Sequence, residues 1–221
     1  MKVTISSWFT AAALSLFVVS SAGIARAGDD LPSLNATDLA RGPYSHMQML
    51  LKKLLFKVAI IDVRVDIATQ TRFAAIAKGH AYSAKLDEQL ANVAVGASRA
   101  VVQMRFLRDV PLSRWMDVVR ENLEQARKSK LISADLEKRV GQGLPTWFAA
   151  LKDRGYEKDD RLVYSVSHDA LRTVVVSKAG KVLVDRTEKE KGSRNVVMAS
   201  YFAWGSDFRE PLLRSLLEGK R

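Results

Sequence analysis

Residues 52–67 read Lys-Lys-Leu-Leu-Phe-Lys-Val-Ala-Ile-Ile-Asp-Val-Arg-Val-Asp-Ile, and no other stretch limits the possible folds so strongly. In its second half Ile61, Val63, Val65 and Ile67 alternate with Asp62, Arg64 and Asp66. That is the period of a β-strand with one buried and one wet face. The first half is apolar on both sides, which predicts a strand that begins under cover on two faces and runs out to a half-exposed edge. Such a strand needs neighbours on its flanks and a layer of helices or a second sheet over its apolar face.

The flanking sequence supplies both. Residues 44–51 predict a preceding strand, with Lys52-Lys53 marking the turn, and residues 73–77 fit a short strand or a helical turn. Leu86, Leu90, Val93 and Ala97 recur at helical steps after Ser83, which predicts a short amphipathic helix. Residues 100–107 form the next strand, stopped by Arg108-Asp109-Val110-Pro111, where Asp109 can cap a helix and Pro111 can open it. Trp115, Val118, Val119, Asn122, Leu123 and Ala126 share one side of that helix. Ser133 caps another, and Gly141, Gly143 and Pro145 predict a kink or break within it. Alternation at 161–168, 173–177 and 182–185 predicts an antiparallel meander, followed by a charged loop at 186–194 and helices at 195–204 and 209–218. Strands, helices, strands, helices is the order of an α+β domain with an antiparallel sheet.

The first residues have the form of a secretory signal: Lys2, an almost uncharged apolar run at 8–19, and Ala25-Arg26-Ala27 as a small-x-small cleavage site. The run is shorter than the roughly 20 apolar residues of a spanning helix. The expected organisation is a cleaved signal peptide at 1–27, an irregular N-terminal arm at 28–42 and one domain at 43–221, with no transmembrane span after cleavage and a periplasmic or secreted location. The absence of cysteine excludes disulfides, thiol catalysis and thiolate metal sites. Without Lys2 and Arg26 the chain keeps 33 basic and 24 acidic residues, a formal charge of +9. Those charges are spread through every segment, and export removes nucleic acid as a target, which leaves an anionic envelope surface as a candidate partner or a merely solvated surface as the alternative.

Several phrases, in their order and spacing, resemble the chalcone isomerase-like family, specifically its exported bacterial members. They are Leu55-Phe56-Lys57-Val58, Phe106-Leu107-Arg108-Asp109-Val110, Glu121-Asn122, Asp159-Asp160, and Ala203-Trp204-Gly205 followed by Pro211-Leu212-Leu213 and Leu216-Leu217. The resemblance spans residues 43–218. It implies an open-faced β-sandwich, a large antiparallel sheet with helices packed over one face and a ligand cleft between them. Of the isomerase's polar set only the asparagine is met, at Asn122; Lys57, Trp115 and Val118 fall where the family has threonine, tyrosine and lysine. Loss of the hydroxyl and ammonium donors that stabilise developing charge argues against isomerase activity.

The family also holds fatty-acid-binding members, in which a basic residue and a tyrosine hold the carboxylate. The tyrosine position is Ala59 here, which leaves Lys57 as the candidate anchor. The expected ligand site is therefore Lys57, Trp115 and Asn122: a cation, an aromatic wall and an amide around an apolar tail. The alternative places Lys57 on the surface, Trp115 in the core and Asn122 on backbone. His46, His80 and His168 are far apart, and Ser167-His168-Asp169 cannot form a triad on one strand face, so neither a metal, a cofactor nor a catalytic residue is expected. The resulting expectation is a non-enzymatic exported protein that binds a fatty acid or a similar amphipathic anion. Its alternatives are an isomerase or lyase with altered residues, and a basic envelope interaction protein.

Overall fold

A computed structural model describes residues 31–53, 55–190 and 192–218; the expected signal peptide lies outside them. Among the described residues six strands follow one another across a single antiparallel sheet in sequence order: β1 (His46–Lys53), β2 (Phe56–Val65), β3 (Ala100–Phe106), β4 (Arg161–Val166), β5 (Leu171–Val176) and β6 (Val182–Glu188). Helices α1 (Ile67–Ala77) and α2 (Ala84–Val95) connect β2 to β3, and α3 (Leu112–Lys128) and α4 (Ala134–Trp147) connect β3 to β4. After β6 come α5 (Asn195–Phe202) and α6 (Arg209–Glu218). This is an α+β fold with an open antiparallel sheet and helices over one face.

The alternation in β2 builds the core. Ala59, Ile61, Val63 and Val65 are fully buried under the helices, while Ile60, Asp62 and Arg64 face the other way and keep partial contact with water. Register carries this pattern across the sheet, so that Met49, Ile61, Met104, Leu162, Val175 and Val184 form one continuous inward row. On the opposite face the arm before β1 lays Leu39 against Val101 and Val163.

Burial along β2 runs opposite to the expectation. Phe56 and Lys57 at its start are exposed and its end is buried, because pairing with β3 begins only at Ala59 opposite Phe106. The β1–β2 hairpin thus overhangs the sheet, with Leu55 in its turn. Lys52 and Lys53 belong to β1 rather than to the turn. Residues 73–77 are the end of α1. Asp109 does not cap α3; its carboxylate accepts from the Lys158 N–H at 2.8 Å, and α3 begins after Pro111 without a side-chain cap. Helix α4 runs on through Gly141, Gly143 and Pro145 to Trp147. A proline so close to the C-terminal end removes only one intrahelical hydrogen bond.

Candidate functional site

Between the inward face of the sheet and helices α3, α4 and α5 lies a cavity of about 550 Å³, within the range of roughly 300–1,000 Å³ that accommodates small ligands. Met104, Phe106, Tyr164, Thr173 and Val184 contribute its sheet side. Trp115, Val118 and Val119 from α3, Leu144 and Trp147 from α4, and Val197 and Tyr201 from α5 contribute the helical side. The α3 residues are there because that helix turns one apolar stripe inward. The place of Trp147 depends on Gly143, where a Cβ would stand 2.3 Å from the indole ring.

Polar groups enter this apolar wall chiefly along one rung of the sheet. Tyr164 on β4 pairs in register with Thr173 on β5, and Thr173 pairs with Arg186 on β6. Neighbouring strands stand about 4.8 Å apart, so three donors are spread over roughly 10 Å. Tyr201 faces the same space from α5. Among the described residues the hydroxyls of Tyr164, Thr173 and Tyr201 have no hydrogen-bond partner. Burial pushes the Tyr164 hydroxyl well above its ordinary pKa, reinforced by Tyr201, and burial raises Tyr201 as well. Both therefore stay protonated and act as donors. The Arg186 guanidinium lies 4.5 Å from the Trp147 ring centre and is ion-paired with Glu188, while its buried Nε–H has no acceptor.

Lys53, Phe56, Arg108 and Arg114 also border the cavity, with Arg108 stacked 4.6 Å over the Phe56 ring. Behind it Phe106 and Tyr156 stack with centroids 4.2 Å apart, and Trp115 meets Phe148 edge-on at 4.5 Å.

The three residues singled out in the sequence meet different fates. Trp115 lines the cavity and is only 5% exposed. Asn122 also borders it, but both ends of its amide are engaged: Nδ2 donates to the Val118 carbonyl and Oδ1 accepts from the Ser206 hydroxyl, each at 2.8 Å. Lys57 is placed outside. Leu51 pairs with Ala59 but Lys52 pairs with Lys57, so Val58 is an extra residue in β2. A bulge of one residue reverses which side chains face inward. Val58 and Phe56 consequently line the cavity, and Lys57 points away with Lys52.

The donors Tyr164, Thr173 and Arg186 were not singled out from sequence. Arg186 falls in the stretch expected to be a charged loop, whereas β6 continues to Glu188. The available signal was the alternation of Val184, Arg186 and Glu188 with Asp185 and Thr187, a strand period with polar residues on its inner face. Among the described residues no group of three or more His, Asp or Glu is placed to hold a metal ion.

No family model and no curated protein matches the chain. Among solved structures it is similar to a fatty-acid binding protein of Arabidopsis thaliana, with a TM-score of 0.52 and 10% sequence identity over 89% of this chain and 97% of that one. At that identity the likeness is one of architecture, and the architecture is the chalcone isomerase-like fold.

Proposed function

We propose that this protein is an exported, non-enzymatic relative of the chalcone isomerase-like proteins that binds a fatty acid or a similar amphipathic anion between its sheet and helices. The observation that carries this reading is the chemistry of the cavity: an apolar wall interrupted by the hydroxyls of Tyr164, Thr173 and Tyr201 and by the unpaired Nε–H of Arg186, all able to donate, with the Glu188 carboxylate ion-paired to Arg186 beside them. Such a site suits a molecule with a hydrocarbon tail, gaining about 0.8 kcal/mol per buried methylene, and a head group rich in acceptors. The likeness to a fatty-acid binding protein supports the same ligand class. Export rests on the form of residues 1–27. Absence of catalysis is supported by the engaged amide of Asn122 and by Trp115 and Val118, which offer no group to deliver charge or a proton to a substrate carbonyl.

The test is native mass spectrometry of the protein after incubation with long-chain fatty acids. One equivalent of fatty acid should be retained. Val118→Trp, which fills the cavity, should abolish retention with the circular dichroism spectrum unchanged. Paired Tyr164→Phe and Arg186→Met changes should weaken binding by about tenfold or more, and Lys57→Met should leave it unaltered. A folded protein that takes up no fatty acid would overturn the proposal.

A further inference from the structure

The tip of the β1–β2 hairpin sets large apolar residues against water. Leu55 is 96% exposed and Phe56 58%, and Leu50 on β1 is also exposed. A turn of this kind ordinarily draws on Asn, Asp or Gly, whereas Leu55 here belongs neither to the core nor to the cavity lining. An exposed apolar group of this size marks a contact surface.

Its surroundings are cationic. Lys52 and Lys57 stand directly opposite each other across the hairpin, an arrangement of like charges that costs stability in a sheet. Neither has an acidic partner among the described residues, and Arg108, exposed at the same tip, is stacked on Phe56 rather than paired with a carboxylate. Lys53 alone of the tip's lysines is neutralised, by Asp207 at 3.0 Å. Apolar side chains at the very tip and unpaired cations one step behind them match the layering of an anionic bilayer, with acyl chains beneath charged head groups. Phe56 also borders the cavity, so the tip adjoins the space between sheet and helices.

We propose that this hairpin docks the protein on an anionic phospholipid surface, Leu55 and Phe56 entering the head-group boundary and Lys52, Lys57 and Arg108 contacting lipid phosphates. Docked in this way, the Phe56 side of the cavity faces the membrane; the use of that orientation for a ligand rests on the ligand reading above, whereas the docking does not. The proposal is tested by co-sedimentation of the protein with vesicles of phosphatidylcholine alone or mixed with phosphatidylglycerol. Fatty-acid retention is measured in parallel without vesicles.

The protein should sediment with the mixed vesicles, should not sediment with the neutral ones, and should be released at raised salt. Leu55→Asp should abolish sedimentation, and the Lys52→Glu, Lys57→Glu double variant should reduce it by about tenfold or more. None of these positions lines the cavity, so fatty-acid retention should be unchanged. Sedimentation of Leu55→Asp equal to that of the parent, or none with either vesicle, would overturn the proposal. Normal sedimentation with no fatty-acid retention would sustain it and overturn the ligand reading instead.

Discussion

Single residues decide how the cavity is shaped. Val58, the extra residue of β2, turns Lys57 out and brings Phe56 in, so the basic residue nearest the expected site is removed by a one-residue shift in phase. Gly155 acts on the opposite wall. Its φ is +66°, and a Cβ there would lie 2.5 Å from the Val110 carbonyl oxygen, inside the bridge that joins Val110 to Tyr156. Gly155→Ala is expected to lower stability by about 2 kcal/mol or more, through a left-handed backbone and a backbone clash. Urea denaturation should record a lower midpoint. Because Tyr156 supports Phe106 and Trp115 by ring contact, fatty-acid retention should weaken with it.

At the scale of elements, two buried carboxylates, Asp66 and Asp87, help hold the helices to the sheet and to each other. Asp66 caps α1, its carboxylate accepting from the Thr69 N–H at 2.7 Å and the Thr69 hydroxyl at 3.0 Å, and it also accepts from the Arg99 N–H ahead of β3 at 2.9 Å. Burial pushes its pKa up, but these hydrogen bonds together outweigh that and hold it below the usual 3.8. A carboxyl whose folded pKa is depressed contributes stability above its unfolded value and loses it as the pH falls through the folded one. Asp66→Ala should therefore cost about 1–2 kcal/mol at neutral pH, with the gap to the parent protein closing as urea denaturation is repeated below the ordinary value of 3.8. The second connection is Arg209 of α6 with Asp87 of α2, with Nε and Nη2 at 2.7 and 2.6 Å from the same carboxylate oxygen and both side chains nearly buried. Arg209→Met should cost about 3–5 kcal/mol because it strands a buried carboxylate, again seen as a lower denaturation midpoint.

Elements of this kind were legible in the sequence wherever a period was sustained. The boundaries of α6, the cap Ser133 and the start of α2 after Ser83 coincide with the expectation. The bulge was illegible because Val58, Ala59, Ile60 and Ile61 are apolar on both faces, and a phase shift in a uniform run leaves no mark. The end of β6 was illegible for a different reason: positions lining a cavity can be polar, so Arg186 and Glu188 look like solvent-facing residues until a neighbouring strand and a helix are placed around them.

For the whole molecule, a core built beside a cavity of about 550 Å³ forgoes packing contacts there. Occupation by a ligand that binds only the folded chain restores them and stabilises it by mass action, by about 2.7 kcal/mol at a hundredfold excess over Kd. Thermal denaturation should rise in temperature with fatty-acid concentration for the parent protein and stay flat for Val118→Trp. The sheet has two edges, and they are protected differently. The β6 edge carries Asp185, Arg186 and Glu188, whereas β1 is covered by α6, whose Ser215 hydroxyl accepts the Gln48 N–H at 2.8 Å. Until α6 docks, β1 offers an open row of amides and carbonyls that another chain could extend as a seventh strand. The Arg209–Asp87 pair that fastens α6 thus also closes the interval during folding in which strand-to-strand aggregation competes with the native state.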